Sequence, residues 1–595
     1  MSDHVSDFVL ARLREWGVHR IYGYPGDGIN GFLGALGRAD GDPEFIQARH
    51  EEMAAFMACG HAKFAGPDAV GVCMATSGPG AIHLLNGLYD AKLDHQPVVA
   101  IVGQTKRSAL GASYQQEVDL QSLFKDVSEY VETCMEPAQA RHLVDRAIRI
   151  ALDRACVCTL VFPNDVQEAK AVPSPPRVHG SVYSSVGYTR PRVLPQDRDV
   201  EHAAEILNDG EKVAILVGQG ARGAAAEVEQ AADLLGAGVA KALLGKDVLA
   251  DDLPYVTGAV GLLGTIPSNE MLMGCDTLLM VGTGFPYAEF LPKEGQARCV
   301  EINLDAAFIG IRYPADVMLV GDAKETLRLL LPHLIRKEDR SWREQIEQNV
   351  ARWWEIEEKV AMEDATPMNP QRVAHELSQV LPDDAIITAD SGSSTNWYAR
   401  QVKLKKGNRA SLSGNLATMV PGVPYAIAAK FAHPHRPVIC FVGDGAFQML
   451  GMNEMLTIKR YMDRWDDKRL VFCVFDNQDL NQVTWEQRVL EGDPKFPGTQ
   501  WLPDFPYAKY AELAGLKGIY CASGDGMRAA WEEALAADRP VVLQVRTDPD
   551  VPPLPPHITF EQAKKMGQAM LKGDPDRVDV MEKSMRGKLA EFLTR

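Results

Sequence analysis

The stretch VICFVGDGAFQMLGMNEMLTI, residues 438–458, sets an apolar run directly against a Gly-Asp-Gly turn and then a helical pattern. A buried strand that passes through glycine straight into a helix is the unit from which parallel sheets are built. Its turn gathers backbone N–H groups and the positive end of a helix at one point, which suits a phosphate. Asp444, between Gly443 and Gly445, adds a hard oxygen donor, and the glycines let backbone approach closely. A second apolar run, RLVFCVFDN (469–477), ends in Asn477, about 30 positions further on. Adjacent parallel strands joined by a helix bring both side chains to one carboxyl edge of a sheet, where open α/β folds bind ligands, and together they can hold one Mg²⁺.

The same alternation runs outward through the chain. HRIYGYPG (19–26), VGVCMATSGPG (70–80) and PVVAIVG (97–103) are strand-then-turn segments between helical patterns. KVAILVGQGA, DTLLMVGTGF and ARCVEINLD repeat the theme in the middle, and NPQRVAHELSQVLP with DAIITADSG opens a third unit. Three consecutive open, mostly parallel α/β sheets are expected. They are an N-terminal domain over 1–180, a central one over 198–340 and a third over 368–550. A Pro/Ser/Gly-rich linker at 181–197, a charged helical connector at 341–367 and a tail at 551–595 with two helical stretches complete the chain.

The 595 residues exceed what one core supports. With 46% hydrophobic and 24% charged residues and no run of 18 apolar ones, a globular chain without a spanning helix is expected. MSDHVSDFVLARLREWG lacks the basic start and apolar stretch of a secretory signal, so the expected location is cytoplasmic. A formal charge of −18 and the absence of basic blocks argue against nucleic acid. The ten cysteines lack metal or redox spacing and read as buried thiols. VMEKSMRGKLAEFLTR in the tail is amphipathic, fitting a membrane surface, while its mixed charge and lack of Trp fit a solvated or subunit-packing helix at least as well.

Gly-Asp-Gly at a strand end followed by Asn resembles the diphosphate motif of the thiamine diphosphate enzymes, with the insertion DRWDDK (463–468) lengthening the interval. The resemblance implies that Asp444, Asn477 and the backbone carbonyl of Asp479 ligate Mg²⁺, with Gly443, Gly445 and Ala446 against the diphosphate. FIQARHEEMAAFMACGHAKFAG (45–66) has the form of the family's N-terminal acid motif and identifies Glu51 as the carboxylic acid facing the pyrimidine nitrogen. By the same likeness Pro25, Gly26, Thr76, His83 and Asn86 surround the aminopyrimidine, Gly392, Ser393 and Ser394 form a second diphosphate loop, and Met419 wedges the cofactor into its bent shape.

The order of segments is similar to that of the pyruvate oxidase and acetolactate synthase group, most of all to quinone-linked pyruvate dehydrogenases. LLGKDVLADDLPYVTGAVGLLGT (243–265) and VGTGFPYAEFLP (281–292) resemble that group's flavin-binding segments. This implies FAD at Gly218, Gly220, Gly282, Thr283, Phe285, Asn303, Asp305, Gly321 and Asp322. The implied activity is decarboxylation or C–C cleavage of a pyruvate-like 2-keto acid, oxidative through FAD to quinone or oxygen. An acetolactate synthase-type carboligase and a relative of the 1,2-dione-cleaving hydrolases are the alternatives. Gln115 stands where these enzymes commonly carry Phe, next to Gln116, and Asn481 and Gln482 make the stretch past Asn477 more polar than in the oxidases. The family also implies a homodimer or homotetramer, with Glu51 of one subunit and Asp444 of another completing each site.

Overall fold

The computed structural model describes residues 4–553 and 559–594, with side chains to 585. It contains three six-stranded sheets, parallel throughout. The first holds β1 (Arg20–Gly23), β2 (Glu44–Gln47), β3 (Gly71–Ala75), β4 (Val98–Gln104), β5 (Tyr130–Thr133) and β6 (Val157–Pro163), in the order β2-β1-β3-β4-β6-β5. The second holds β7 (Val213–Val217), β8 (Gly238–Lys241), β9 (Val256–Ala259), β10 (Thr277–Val281), β11 (Arg298–Asn303) and β12 (Val317–Val320), ordered β12-β11-β10-β7-β8-β9. The third holds β13 (Ile386–Ala389), β14 (Arg409–Ser411), β15 (Val438–Gly443), β16 (Leu470–Asp476), β17 (Lys517–Cys521) and β18 (Val541–Arg546), ordered β14-β13-β15-β16-β18-β17.

The central strands are buried along their length because helices cover both faces, which is why they read as unbroken Val/Ile/Leu/Phe runs. Each fully buried aliphatic or Phe side chain contributes about 1.5–3 kcal/mol, and these runs supply most of the cores. The first and third sheets share one apolar core in which Tyr22, Phe56, Tyr425 and Phe472 take part. Helix Glu51–Phe64 lies against helix Gly422–Ala432, and small residues let the two approach: a Cβ on Gly60 would stand 3.1 Å from that of Ala428. The Ala-rich character of the 51–64 segment follows from this contact.

Beside it sits a wholly buried ion pair, Lys63–Asp94 at 2.7 Å. Asp94 also accepts the N–H groups of Gly414 (2.9 Å) and Asn415 (2.8 Å), so its charge is compensated from both sheets. Residues 171–196 run largely without regular structure between the first two sheets, held by Arg141 and Arg149 donating to the carbonyls of Ser184 and Ser185. In the tail, helices Phe560–Leu571 and Arg577–Thr594 dock where buried Arg488 grips Asp574 with two 2.8 Å bonds and Trp485 packs on Ala569, Met570 and Val580. No described helix is long and apolar enough to cross a membrane. The membrane-surface reading of the tail rests partly on side chains beyond 585, which lie outside the described residues.

Candidate active site

At the carboxyl edge of the first sheet, the loops after β1, β2 and β3 converge. Glu51 opens its helix and is 8% exposed, and His50 caps that helix by accepting the Glu52 N–H at Nδ1 (3.2 Å). Glu51 Oε2 lies 2.9 Å from His83 Nδ1, within hydrogen-bond distance. The Thr76–Gly80 turn presses on this pair: a Cβ on Gly80 would stand 3.0 Å from Glu51 Oε1 and 2.7 Å from the Thr76 methyl. Thr76 Oγ1 accepts the Gly28 N–H (2.9 Å), and Gly26, next to half-buried Pro25, abuts the Thr76 side chain. Asn86 Nδ2 donates to Glu52 Oε1 (2.7 Å) and across to Thr418 Oγ1 (3.2 Å). Gln116 accepts from Ser77 Oγ (3.1 Å) in a left-handed conformation (φ 61°), whereas Gln115 is exposed.

The matching edge of the third sheet carries different chemistry. Gly443 pairs with Phe475, so β15 and β16 end side by side. Asp444 follows, 3% exposed; its Oδ2 accepts the N–H groups of Asn477 (3.0 Å) and Gln478 (2.6 Å), and Oδ1 that of Gly445 (2.8 Å). Burial pushes its carboxyl up to about 7, with neighbouring Asp476 adding to the effect. Among the described residues no basic side chain forms an ion pair with it. A desolvated carboxylate without a cation, beside an amide and turn carbonyls, is a hard-oxygen donor set that fits Mg²⁺. Asn477 Oδ1 accepts the Asp479 N–H (3.0 Å), and Gln478 turns the chain at φ 58°. The Asp479 carboxylate is engaged by Thr484 (3.0 Å) and Lys495 (3.4 Å), which leaves its backbone carbonyl as the group to offer a cation.

Gly392, at φ 119°, begins helix Ser393–Gln401, and a Cβ placed on it or on Gly443 would meet nothing within 4 Å. Both loops therefore open onto space. Ser393 and Ser394 are buried, and Ser394 Oγ donates back to the Asp390 carbonyl (3.1 Å). Ala446 is buried in the turn that follows, and Met419 approaches it, with Cε 3.4 Å from a Cβ on Gly445.

Sequence reasoning missed the residue that holds Met419. Asp390 is fully buried, its carboxyl raised to about 7 by burial, and it accepts the N–H groups of Val420 (2.7 Å) and Gly422 (3.1 Å). Val420 is thereby kept at φ 92°, a conformation that costs a β-branched residue about 1–3 kcal/mol. Glu454 was also missed: its Oε1 accepts the Arg49 N–H at 2.8 Å and so staples the loop before Glu51 to the third domain. The only signal for either was an acid within an otherwise apolar or loop-forming context, which does not name its partner.

Past Asn477, Asn481 is buried and its amide donates to the Pro549 carbonyl (2.7 Å) and Asp479 Oδ2 (3.3 Å). Gln482 Oε1 accepts from Asn396 (2.8 Å), and its amide donates to Glu486 (3.0 Å). Gln482 thus lies by the helix that Gly392 begins, while Asn481 is spent on the chain's own backbone.

In the central sheet the strand order reverses between β7 and β10, the place where such sheets leave a crevice. Gly218, Gly220 and Gly282 meet there backbone to backbone: the Gly220 N–H donates to the Gly282 carbonyl (2.9 Å), and a Cβ on Gly218 would lie 2.5 Å from that oxygen. Thr283 Oγ1 accepts the N–H of buried Phe285 (3.2 Å). Asn303 accepts the Asp305 N–H (3.2 Å), and Asp305 in turn caps Ala307 (2.9 Å). Gly321 abuts Val193 and Pro195 of the linker, and Asp322 caps the helix Ala323–Leu330 by accepting the Glu325 N–H (3.0 Å).

Two sheets of one topology, one edge bearing an acid–imidazole pair and the other a hard-oxygen cluster beside open glycine turns, define an enzyme built around a diphosphate cofactor. Comparison with known families places it. Residues 3–123 match the N-terminal TPP binding domain of the thiamine pyrophosphate enzymes, 200–330 their central domain and 390–545 their C-terminal TPP binding domain. The chain belongs to this family and is a thiamine diphosphate-dependent enzyme. It is 37% identical over 94% of both chains to YdaP of Bacillus subtilis, whose name describes it as thiamine pyrophosphate-containing. Pyruvate oxidase of Lactiplantibacillus plantarum is 32% identical over 76% of this chain and 74% of its own. The large subunit of acetolactate synthase isozyme 2 of Escherichia coli is 30% identical over 92% and 97%. The group is one of 2-keto acid enzymes.

Proposed function

We propose that the protein decarboxylates a pyruvate-sized 2-keto acid with thiamine diphosphate and Mg²⁺ and passes the electrons through FAD to a quinone or oxygen. The observation that carries the reading is the pairing of buried Glu51 with His83 at one edge and of buried Asp444 with Asn477 at the other. Bound thiamine diphosphate supplies a nucleophilic carbon and an electron sink for the carbanion left by decarboxylation. Glu51, oriented by His83 and boxed in by Gly80, holds a proton for the pyrimidine ring nitrogen. Asp444, Asn477 and the Asp479 carbonyl would hold Mg²⁺, and the backbone at Gly392 and Gly443 leaves room for the diphosphate. Met419, braced by Asp390, fills the space beside Gly445 and keeps water out. Gln116 and Gln482 are the polar groups offered to substrate.

FAD is supported by the crossing point of the central sheet, where Gly218, Gly220 and Gly282 keep side chains out of the crevice and Asn303 and Asp305 stand ready for adenosine hydroxyls. Exposed apolar residues next to both edges, Tyr24, Ile82, Val483 and Trp501, support a second copy of the chain covering the site in a homodimer or homotetramer. A carboligase reading is favoured by one observation, the polar Gln482 beside the Gly392 helix.

Purified protein, supplied with pyruvate and with or without thiamine diphosphate and Mg²⁺, tests all of this. Cofactor-dependent CO₂ release with bleaching of a flavin spectrum is the expected result. Acetolactate formation without flavin reduction would replace the oxidase reading with the carboligase. Absence of any cofactor-dependent turnover of pyruvate or other 2-keto acids would overturn both.

A further inference from the structure

Two imidazoles flank Glu51, and the proposed reaction uses only one of them. His50, His83 and Glu51 each present a ligand atom, and these atoms all lie within 4.8 Å of one another. The two rings stack with centroids 4.3 Å apart and planes inclined by 30°, which keeps both imidazoles beside Glu51. His50 spends Nδ1 on the Glu52 N–H, which fixes its ring and leaves Nε2 unspent; His83 turns Nδ1 toward Glu51, so this nitrogen and the carboxylate are the pair that a shared ion would take. His83 is 43% exposed, which gives an ion a way in.

We propose that His50, Glu51 and His83 form a transition-metal site in the cofactor-free enzyme, taking an ion of the Zn²⁺ or Co²⁺ class and excluding thiamine diphosphate while it is bound. Two neutral imidazoles and one carboxylate, with an open fourth position for water, suit a borderline ion and not Mg²⁺, which prefers all-oxygen donors. Tetrahedral bonds of about 2.0–2.1 Å put donor atoms roughly 3.3 Å apart, so the three groups need close by no more than about 1.5 Å, within the reach of side-chain rotation. The molecule would then carry two cation sites of opposite hardness: oxygen donors at Asp444 and Asn477 for the cofactor's Mg²⁺, and nitrogen-rich donors at His50 and His83. The exclusion follows because an ion on Glu51 removes the carboxyl that the pyrimidine nitrogen needs. That second part rests on Glu51 being the pyrimidine partner.

The test uses the full-length protein stripped of cofactor and metal. Co²⁺ is added to the wild type and to His50→Asn, a variant that keeps a side-chain acceptor for the Glu52 N–H, and visible d–d absorbance is read. A saturable Co²⁺ band displaced by Zn²⁺ is expected in the wild type, with affinity at least about tenfold lower in H50N. Equal binding by the two proteins, or none by the wild type, overturns the site. Should H50N fold poorly, wild-type protein alone decides: Zn²⁺ must protect His50 and His83 together from diethyl pyrocarbonate, mapped by peptide mass, and labelling unaffected by Zn²⁺ overturns the proposal. Reconstitution with thiamine diphosphate and excess Mg²⁺ separates the two parts. Zn²⁺ should slow wild-type reconstitution at least about tenfold, reversibly with EDTA, and leave H50N less affected. A confirmed Co²⁺ site with no effect of Zn²⁺ on cofactor uptake would uphold the metal site and overturn the exclusion, and with it Glu51 as the pyrimidine partner.

Discussion

The first and third sheets share one strand order, second-first-third-fourth-sixth-fifth, yet their carboxyl edges are built in opposite ways. In the first, the edge glycines are filled by protein: Cβ atoms on Gly26 and Gly80 would collide with Thr76, at 2.5 and 2.7 Å. In the third, Gly392 and Gly443 face open space. The same motif, a strand ending in glycine, is therefore packed around an acid in one sheet and left open in the other. Topology fixes where chemistry can be placed, and the atoms around each turn decide which chemistry it is.

The largest test removes the acid that the first edge is built around. Glu51→Gln keeps the side-chain shape but cannot hold and release the proton, so cofactor-dependent turnover should fall by about 10²–10⁴-fold with thermal stability little changed. Steady-state turnover of the best 2-keto acid measures it; a loss under tenfold would mean that the first edge does not supply the acid.

Glycine substitutions sharpen the contrast directly. Gly443→Ala meets no protein atom and has an ordinary φ of −76°, so the cofactor-free fold should melt as the wild type does, while apparent thiamine diphosphate affinity should fall about tenfold to hundredfold because the methyl enters the space proposed for the diphosphate. Gly26→Ala should do the reverse in kind, destabilising the apo fold by about 1–3 kcal/mol through its clash with Thr76. Melting curves and cofactor titrations of both variants decide the matter, and equal affinity losses at unchanged stability in the two would dissolve the distinction.

The open edge was readable in the sequence because β–α units transmit order locally. A strand, a turn and a helix place Asp444, and the next strand places Asn477 beside it. Glu51 was readable for the same reason, as the first residue of a helix after a strand. What could not be read were pairings set by the meeting of two domains. Asp390 holds a strained Val420 thirty residues away, and Glu454 binds Arg49 across some four hundred. Neither has a periodic or spacing signature, since each exists only once the sheets are packed. The Ala-rich run at 53–58 was visible as a helix, but its reason, close packing on Gly422–Ala432, was not. The glycines of the central sheet lay between these cases: the sequence showed them, and only the strand reversal shows why they meet.

Asp390 supplies the next test. Asp390→Asn retains one acceptor for the Val420 and Gly422 N–H groups but not both, so the 417–422 segment should relax from its left-handed turn and Met419 should shift. Turnover is expected to fall about tenfold, with a smaller change in cofactor affinity. An unchanged rate would show that Met419 is placed by packing alone.

Glu454 carries the smallest effect and the one with a pH signature. It is fully buried; Oε1 is bonded to the Arg49 N–H, Oε2 has no hydrogen-bond partner, and Thr457 and the Arg49 guanidinium face it. Burial raises its carboxyl from 4.5 to about 7 in the folded chain. Between those values the folded state keeps a proton that the unfolded state has released, so stability falls as pH rises through the window. Below about 4.5 both states are protonated and nothing is lost; above about 7 the full penalty, on the order of 3 kcal/mol, is in place. Glu454→Gln keeps the acceptor for Arg49 and has no charge to bury, so urea unfolding should show it more stable than the wild type above pH 7 and level with it near pH 4.5. If the difference between the two proteins does not grow across that interval, the staple between the first and third sheets is carried by a carboxylate that Arg49 already compensates.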